Sequence, residues 1–401
     1  MREVLLDGRP PGVAELTEAL TDALDGGPAV LPLDAANPRL DRLRAGIAPD
    51  QPLEPDTAVI VATSGSTGAA KGVLLSAGAL VASADATHTR LGGPGRWLVA
   101  TPVQYVGGLQ VLVRSLRAGT VPGVVDLSKS FRADSFAAAA APVLTGSGPW
   151  YTAMVPTQLR QLLDEGGAGL AALCQFDAVI IGAAALSTQL GDRAADAGVR
   201  VVRAYGMSET ASGCVYDGMP LDGVRVRLAG DAGRVEISGP VLANGYRRAP
   251  ELTAAAFVDG WFVTGDAGVR HADGRLEILG RTDDLINTGG VKVAPVLVER
   301  ALGAVAGVRE ACVVGVPDER WGQAVVAAVV PLERVGGTAG DGGAGGGGVG
   351  EPVGPSEDVL RDAVRAELGR AAVPKRIGFV RELPLRGPGK IDRAAVRDLL
   401  S

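Results

Sequence analysis

Short apolar runs that alternate with helical patterns constrain the fold of this chain more than any other feature. The runs cover residues 150–155, 177–181 and 199–204, and the first two lead into helical patterns at 157–164 and 188–197. Strands that alternate with helices in this way are typical of a parallel sheet with helices packed on it. Because ligands of such sheets bind beyond the carboxyl ends of the strands, the loops after these runs are the first candidates for a functional site.

An earlier apolar run, residues 57–63, has the composition of a buried strand and ends in a loop rich in serine, threonine and glycine. Ser76 is expected to cap a helix that runs to about Arg90. After about residue 221 short alternating strands separated by turns predict an antiparallel sheet or a distorted barrel. The expected fold class is therefore α/β, with a large multi-layer N-terminal domain that combines parallel-type sheets with this barrel.

The chain is long enough for two domains, since one hydrophobic core rarely grows beyond roughly 250–300 residues and this chain has 401. Mixed strand and helix patterns predict a small α+β domain over residues 285–401, behind a large domain over residues 1–282. Residues 335–355 contain eleven glycines in 21 positions, and this composition predicts a flexible insertion. A mobile lid is the alternative, but the insertion lacks aromatic or bulky apolar anchors for a substrate.

Composition argues against several classes of function. The 45 acidic residues outnumber the 39 basic ones, which disfavours a nucleic-acid-binding surface. Two histidines, His88 and His271, are too few for a multi-histidine metal site or a histidine-centred relay. Three cysteines without CxxC spacing disfavour disulfides and zinc and fit a reducing cytoplasm. The chain shows no signal peptide, and its apolar runs are shorter than the roughly 18 residues that a membrane span needs.

The segment Thr63–Gly72, with the sequence TSGSTGAAKG, has the composition of a phosphate-binding loop. Its backbone N–H groups, hydroxyls and one ammonium group can all donate to phosphate oxygens. The candidate residues are Ser64, Gly65, Ser66, Thr67, Gly68 and Lys71. The segment is not a Walker A loop, because that motif has Gly directly before Lys and Ser or Thr after it. Taken alone, it is equally consistent with a turn that follows a strand.

Two segments farther along carry groups suited to a nucleotide. In residues 205–210 the Tyr205 ring could stack on a base, the Ser208 hydroxyl could contact a phosphate, and Glu209 is a hard oxygen ligand suited to magnesium. Asp266 follows a strand and a glycine, where its carboxylate could accept hydrogen bonds from two ribose hydroxyls. An ordinary loop with a solvated glutamate and an Asx turn in a hairpin are the respective alternatives.

Two more segments lie at or beyond the predicted domain boundary. Arg281 follows a strand, Asp283 and Asp284 fall at the boundary, and the glycines at 289–290 leave room for a thin ligand. An interdomain linker explains the same residues equally well. The loop ending at Lys390 contains two glycines and two prolines and presents one of only five lysines in the chain. A solvated surface loop is the alternative there.

These five segments, in this order from Thr63 to Lys390, resemble the adenylate-forming superfamily of acyl-CoA synthetases, non-ribosomal peptide adenylation domains and luciferases. Each motif is weak to moderate alone, whereas the ordered set is highly specific. The resemblance implies a large N-terminal domain, a small mobile C-terminal domain with its hinge at Asp283, and a two-step reaction with ATP, Mg²⁺ and CoA. A carboxylate first becomes an acyl-adenylate with release of diphosphate, and the acyl group then passes to CoA with release of AMP.

The same resemblance implies roles for individual residues. Lys390 would bridge the carboxylate and the α-phosphate, Glu209 would hold Mg²⁺ and Ser208 would contact phosphate, so these three are the expected catalytic residues. Besides the phosphate-loop residues named above, the expected contacts to ATP are Gly182, Ala183 and Ala184 beside adenine, Tyr205 with Gly206 and Met207, Asp266 at the ribose, and Arg281. The expected contacts to CoA are Gly289 and Gly290, along the pantetheine tunnel.

Residues 104–115, 154–159 and 208–218 resemble a narrower group, the o-succinylbenzoate–CoA ligases of menaquinone synthesis. The early position of the phosphate loop agrees with the short chains of that group, whereas Gln104 stands where relatives often have histidine. Arg114 or another arginine is a candidate partner for the second carboxylate of an aromatic dicarboxylate. The expected substrate contacts are Gln104, Tyr105, Gly108 and Gln158.

Alternatives to that narrower group stay open at this level. Another aryl- or acyl-CoA ligase, or an adenylation enzyme that loads a carrier protein, would share the same motifs. A non-catalytic nucleotide-binding protein built on a decayed ligase is the alternative from another class, and the joint presence of Glu209, Asp266 and Lys390 argues against it. The expected partners are a small carboxylate, ATP and CoA, without nucleic acid, and a homo-oligomer stays open.

Overall fold

The computed structural model of the protein describes residues 1–64, 70–230, 233–332, 354–385 and 391–400. The predicted glycine-rich insertion lies outside these residues up to position 353, as do most of the predicted phosphate loop and Lys390.

The chain divides into two compact units. The first consists of Met1–Leu186, Leu190–Thr264 and Val269–Glu277, and the second consists of Ser187–Gln189, Gly265–Gly268 and Ile278–Ser401. The predicted domain limits at residues 282 and 285 and the hinge at Asp283 stay predictions.

The helices before residue 281 are α1 (Pro10–Leu24), α2 (Leu40–Ile47), α3 (Ala77–Leu91), α4 (Val106–Arg117), α5 (Ala133–Val143), α6 (Pro156–Glu165), α7 (Gly167–Leu173), α8 (Thr188–Asp196) and α9 (Pro250–Ala256). The strands over the same part are β1 (Arg2–Leu6), β2 (Val30–Asp34), β3 (Val59–Ser64), β4 (Ala70–Leu75), β5 (Arg96–Val99), β6 (Gly123–Val124), β7 (Trp150–Met154), β8 (Ala178–Ile181), β9 (Val201–Met207), β10 (Ser212–Tyr216), β11 (Met219–Pro220), β12 (Arg225–Ala229), β13 (Arg234–Ser238), β14 (Gly245–Tyr246), β15 (Phe257–Val258), β16 (Trp261–Arg270) and β17 (Leu276–Arg281).

A seven-stranded sheet, in the order β11-β10-β9-β8-β7-β5-β6, confirms the predicted parallel sheet. Neighbouring strands from β6 to β9 run parallel. Strands such as β8, with the sequence AVII, are fully buried because helices cover them, which explains their continuous apolar composition. Phe136 and Phe176 are 0% exposed in the core beneath this sheet, with ring centroids 6.0 Å apart. Burial of each ring contributes roughly 1.5–3 kcal/mol.

The third apolar run departs from the predicted strand–loop–helix pattern. β9 continues through Tyr205 to Met207 instead of ending before Tyr205, because this part of the strand pairs with β10 in an antiparallel hairpin. The hairpin takes the place of a following helix. Tyr205, Gly206 and Met207 are therefore strand residues, and only the next three residues form a turn.

A second sheet of the first unit has the order β1-β2-β3-β4-β14. The predicted strand at residues 57–63 is β3, and it pairs antiparallel with β4, which carries Lys71. Ser76 caps α3 as predicted, since its hydroxyl accepts a hydrogen bond from the Ala79 N–H at 3.1 Å. After residue 221 the pairs β12–β13 and β15–β16 are antiparallel, in agreement with the sequence pattern.

A buried arginine holds the end of this second sheet to the chain after α2. The Arg247 side chain is 0% exposed. Its five hydrogen bonds run to the carbonyl oxygens of Ile47, Ala48, Gln51 and Pro52 and to the carboxylate of Glu54, at 2.5–3.0 Å. A guanidinium has five N–H donors, so the whole group is satisfied.

The remaining elements are β18 (Ile286–Thr288), β19 (Val291–Val293), α10 (Pro295–Gly303), β20 (Val308–Asp318), β21 (Gly322–Pro331), α11 (Glu357–Leu368), β22 (Arg376–Phe379) and α12 (Arg393–Leu400). They form the α+β arrangement predicted for the C-terminal part. Strands β20 and β21 make a long antiparallel hairpin, and their side chains alternate between two apolar clusters, one with α10 and α11 and the other with α12. Within the described residues, no helix has the length and apolar composition to span a membrane.

Candidate active site

The predicted phosphate loop connects two paired strands. β3 ends at Ser64 and β4 begins at Ala70, and these two residues face each other in the antiparallel ladder. The Thr63 hydroxyl donates to the Lys71 carbonyl oxygen at 3.3 Å, one step before the loop. The ladder therefore fixes both ends of the loop. Of the predicted phosphate ligands, Gly65, Ser66, Thr67 and Gly68 lie outside the described residues.

The turn that carries Ser208 and Glu209 is held by hydrogen bonds of the buried residue Thr210. The Thr210 hydroxyl accepts from the Met207 N–H at 3.0 Å and donates to the Ser212 carbonyl oxygen at 2.8 Å. After the turn, Ala211 and Ser212 have positive φ angles of 49° and 92°, which residues other than glycine rarely adopt. The Ser83 hydroxyl of α3, 0% exposed, donates to the Ala211 carbonyl oxygen at 2.9 Å.

Gly206 is the residue that lets this hairpin close. A Cβ at this position would collide with the Ser212 carbonyl oxygen on β10. Close approach of two backbones is a recognised use of glycine in strands. Gly206 therefore has a packing role between Tyr205 and the Glu209 turn, whether or not its backbone also contacts a nucleotide.

Glu209 is half-buried and is held at both its backbone and its side chain. The Tyr246 hydroxyl donates to Glu209 Oε1 at 2.9 Å, and the Ala243 N–H donates to the Glu209 carbonyl oxygen at 2.9 Å. Burial, and after it the negative charge of Glu209, raises the pKa of Tyr246 well above its usual range. The phenol therefore stays protonated and acts as the donor. The ammonium of Lys71 lies 5.4 Å from the centroid of the Tyr246 ring.

Tyr246 is a site residue that the sequence did not reveal. It lies 37 positions beyond Glu209, in a two-residue strand, and no local motif connects the two residues. The available signal was its rarity, since the chain has only five tyrosines and few aromatic residues of any type.

The predicted adenine-side loop follows β8, beside the strand that carries Tyr205. Its first residue, Gly182, lies close to Ala204, because a Cβ on Gly182 would be 3.6 Å from the Ala204 carbonyl oxygen. Ala183 has a φ of 65°, and both Ala183 and Ala184 are exposed. The structure therefore brings Gly182–Ala184 and the half-buried Tyr205 to neighbouring strands at one edge of the parallel sheet.

Asp266 and Arg281 lie together within the second unit. Arg281 Nη1 is 3.8 Å from Asp266 Oδ1, and Arg281 Nε is 3.2 Å from Asp283 Oδ1. The Arg281 guanidinium lies over Gly265, where a Cβ would collide with it, and Thr282 donates to the Gly265 carbonyl oxygen. The Asp266 side chain is only 16% exposed, whereas those of Arg281 and Asp283 are largely exposed.

Gly289 and Gly290 form the tight turn between β18 and β19. Their φ angles of 60° and 83° are those of a two-residue hairpin turn, which glycine adopts without strain. A Cβ on Gly289 would lie 2.7 Å from the Trp321 ring. This turn explains both glycines structurally, and their contact with pantetheine stays a prediction.

Lys390 lies outside the described residues, but its flanks are well held. Leu385 and Ile391 form an antiparallel bridge on either side of the segment that contains Lys390. Arg393, at the start of α12, makes a bidentate ion pair with Glu299, in which Nη1 donates to Oε1 at 2.6 Å and Nη2 donates to Oε2 at 3.0 Å.

The predicted substrate contacts divide into accessible and engaged residues. Tyr105 is 44% exposed at the start of α4, and Gln104 is half-buried beside it. Gly108 is buried, and a Cβ there would collide with the Pro102 carbonyl oxygen. Gln158 is engaged by the backbone, since its amide accepts from the Val155 N–H at 3.0 Å and donates to the Ala100 carbonyl oxygen at 2.7 Å.

Arg114 lies in the core and is only 1% exposed. Its guanidinium lies 5.1 Å from the Trp97 ring centroid and donates to the Tyr216 hydroxyl at 3.3 Å. Burial, and after it the charge of Arg114, lowers the pKa of His88 to about 4, and the neutral His88 accepts a hydrogen bond from Trp97 Nε1. In this structure Arg114 supports the core and is not available to a substrate carboxylate.

The donor chemistry of Glu209 fits a magnesium ion that arrives with a nucleotide. Mg²⁺ is usually held by one or two carboxylates together with substrate phosphates and water. Within the described residues, no group of three or more histidine, cysteine, aspartate or glutamate residues could hold a metal. A cation at Glu209 would therefore take its other ligands from phosphate and water.

Comparison with known proteins identifies the class. Residues 8–246 match the AMP-binding enzyme family, and residues 297–390 match the C-terminal domain of AMP-binding enzymes. The chain belongs to the AMP-binding enzyme family. This membership confirms the predicted superfamily, and the chain is an AMP-forming acid–thiol ligase.

Individual relatives narrow the picture further. The chain is 44% identical over 389 residues to a protein of Mycobacterium tuberculosis named probable 2-succinylbenzoate–CoA ligase. The aligned region covers 96% of this chain and 94% of that protein. The chain is 32% identical over 427 residues to feruloyl-CoA synthase of Amycolatopsis sp, covering 96% and 81%. The solved structure of ATP-bound MatB from Rhodopseudomonas palustris aligns with a TM-score of 0.76 and 25% identity, covering 99% and 88%. This likeness confirms the predicted α/β class with a large and a smaller domain.

Proposed function

We propose that this protein converts o-succinylbenzoate to its CoA thioester by way of an acyl-adenylate, with release of diphosphate and AMP. The observation that carries the proposal is the 44% identity, along nearly the whole of both chains, to a relative named for the 2-succinylbenzoate–CoA ligase activity. The fixed Glu209 turn beside the phosphate-loop strand supports the same chemistry.

The first half-reaction brings two anions together. A carboxylate is a poor acyl donor because its leaving group would be oxide, and attack on the α-phosphate of ATP replaces that group with AMP. Bound Mg²⁺ would neutralise phosphate charge at Glu209. The N–H and hydroxyl donors of the phosphate loop and the Lys71 ammonium would hold the phosphates, and Lys390 would bridge the carboxylate and the α-phosphate.

The adenine is proposed to lie against the residues at the parallel-sheet edge. Tyr205 would stack on adenine beside the Gly182–Ala184 loop, and Asp266 would accept hydrogen bonds from the ribose hydroxyls, with Arg281 beside it. Support comes from the adjacent positions of Gly182 and Ala204 and from the pairing of Arg281 with Asp266.

The second half-reaction transfers the acyl group to the CoA thiol. The small C-terminal domain is proposed to turn about Asp283, which would withdraw Lys390 and present the Gly289–Gly290 hairpin to pantetheine. The left-handed turn at these glycines keeps that hairpin tip free of side chains, which suits a narrow passage.

For the acyl group, the accessible residues Gln104 and Tyr105 are the proposed contacts. Gln158 and Gly108 would act mainly through the backbone that they hold in place. Because Arg114 is buried in the core, the donor to the second carboxylate of the substrate is proposed to be another group. A cytoplasmic location is proposed as well, since the three cysteines are free thiols.

An exchange assay over a panel of acids tests the proposal. Labelled diphosphate should enter ATP only with an acid that the enzyme activates, and o-succinylbenzoate should support the fastest exchange. Supplying CoA or a carrier protein as acceptor then identifies the second step. Faster exchange with a ferulate-type acid would favour a different aryl-CoA ligase. Absence of exchange and AMP release with every acid would favour a nucleotide-binding protein without catalytic activity.

A further inference from the structure

We propose that Tyr246 is a positioning residue for the carboxylate of Glu209 and thereby sets the affinity of the enzyme for Mg²⁺. Tyr246 would act through Glu209 and would touch neither the metal nor the substrate. The inference rests on the proposed function, in which Glu209 is a ligand of Mg²⁺.

The contact between the two side chains selects one carboxylate oxygen. The Tyr246 hydroxyl donates to Oε1 of Glu209 at 2.9 Å, and the described part of the chain supplies no hydrogen-bond donor to Oε2. A free glutamate side chain samples many rotamers, and a donor on one oxygen restricts that freedom. Oε2 is therefore the oxygen held ready for a cation. Such outer-shell hydrogen bonds commonly orient metal-binding carboxylates.

Tyr246 itself is rigidly placed. It is only 7% exposed, and it lies opposite Val73 in the antiparallel pairing of β14 with β4. Its N–H donates to the Thr253 hydroxyl at 2.9 Å, and its ring lies 5.9 Å from that of Phe257. A donor fixed by a strand, a hydrogen bond and an aromatic neighbour can hold Glu209 in one orientation.

The same short segment also connects Glu209 to the phosphate-loop strand. The Ala243 N–H holds the Glu209 carbonyl oxygen, and the Asn244 N–H donates to Leu74 of β4 at 2.8 Å. The Lys71 ammonium, on the same strand, lies over the Tyr246 ring. Tyr246 therefore lies where the metal-binding carboxylate and the phosphate-binding lysine meet, which is where Mg²⁺ bound to a nucleotide phosphate would be recognised.

The test is metal binding by the full chain, measured without turnover. Mn²⁺ replaces Mg²⁺ in the presence of a non-hydrolysable ATP analogue, and electron paramagnetic resonance reports free Mn²⁺. Tyr246→Phe keeps the ring and removes the hydroxyl, and it should weaken Mn²⁺ binding about 10- to 100-fold. Tyr151→Phe is the matched control. It removes another buried hydroxyl, which donates to the Leu91 and Gly93 carbonyl oxygens, and it should leave Mn²⁺ affinity unchanged.

A double-mutant cycle with Glu209→Gln gives the second readout. If Tyr246 acts through Glu209, Tyr246→Phe should have no further effect on Mn²⁺ affinity once Glu209 is Gln. Weak binding by Glu209→Gln together with wild-type binding by Tyr246→Phe would overturn the role of Tyr246 and leave the proposed function intact. Wild-type binding by Glu209→Gln would remove Glu209 as the metal ligand and the inference with it. Near-ultraviolet circular dichroism without metal checks that each variant keeps its fold.

Discussion

The hydrogen bond from Ser83 to Ala211 should matter for both stability and catalysis. Ser83→Ala removes a hydroxyl that is 0% exposed and leaves the equally buried Ala211 without the donor to its carbonyl oxygen. A buried acceptor that loses its partner costs about 1–3 kcal/mol. Because Ala211 directly follows the turn that holds Ser208 and Glu209, the same loss should loosen that turn.

Ser115→Ala provides a matched comparison. Ser115 is also 0% exposed, and its hydroxyl donates at 2.9 Å to Val111, four positions earlier in α4. A helix carbonyl at that position already accepts an intrahelical bond, so its loss of the hydroxyl should cost less. We expect Ser83→Ala to lower the unfolding free energy by about 1–3 kcal/mol and Ser115→Ala to lower it by less.

Two measurements decide the matter. Urea unfolding of both variants gives the difference in stability, and hydroxylamine trapping of acyl-adenylate gives the rate of the first half-reaction. Ser83→Ala should slow adenylate formation, because small misplacements of catalytic groups carry large rate penalties. Equal stability and equal adenylation rates for Ser83→Ala and Ser115→Ala would refute the role assigned to this bond.

Three other substitutions have defined outcomes. The pKa of His88 falls from its ordinary 6.5 in the unfolded chain to about 4 in the folded one, so the folded state should lose stability as the pH falls between these values. His88→Asn should reduce the fall in unfolding free energy between pH 6.5 and pH 4 by about 3 kcal/mol, as measured by urea unfolding at several pH values. The same pH dependence of stability in the variant and the wild type would contradict this expectation. Gly206→Ala should lower stability by about 1–3 kcal/mol through its collision with Ser212 and slow adenylation. The control Gly303→Ala, which meets no atom within 4 Å, should be tolerated. Lys390→Ala should abolish adenylate formation but spare transfer to CoA from supplied acyl-adenylate, and equal loss of both steps would argue against its proposed role.

The parallel sheet could be predicted from the sequence because its strands are buried on both faces and are therefore continuously apolar. The end of β9 could not, because residues 205–207 are strand only through pairing with β10. Two non-glycine residues that follow the turn, Ala211 and the first residue of β10, Ser212, have positive φ angles, and their side chains give no sequence signal for that conformation. Tertiary contacts such as the bond from Ser83, 128 positions away, hold it.

The candidate site was predictable where its residues cluster in motifs and not where single side chains act across the fold. Glu209 and Lys71 could be found in local segments, whereas Tyr246 reaches Glu209 only through the pairing of β14 with β4. Arg114 and Gln158 show the opposite case. Gln158 is an expected substrate contact and Arg114 a candidate partner for a substrate carboxylate, yet Arg114 donates to the buried Tyr216 hydroxyl and Gln158 to the Ala100 carbonyl oxygen. Sequence position alone does not distinguish a polar group that faces a ligand from one that completes the interior.

Because all five N–H donors of Arg247 are hydrogen-bonded to residues 47–54, the stability of the first unit depends on this N-terminal stretch. Its guanidinium finds all five acceptors in the stretch from Ile47 to Glu54, nearly two hundred positions earlier in the chain. A version that starts at residue 57 would lose all five acceptors of this cation, which directly follows the strand that carries Tyr246. Removal of residues 1–56 should therefore destabilise the catalytic unit, and lysine, with three donors, could not replace this arginine.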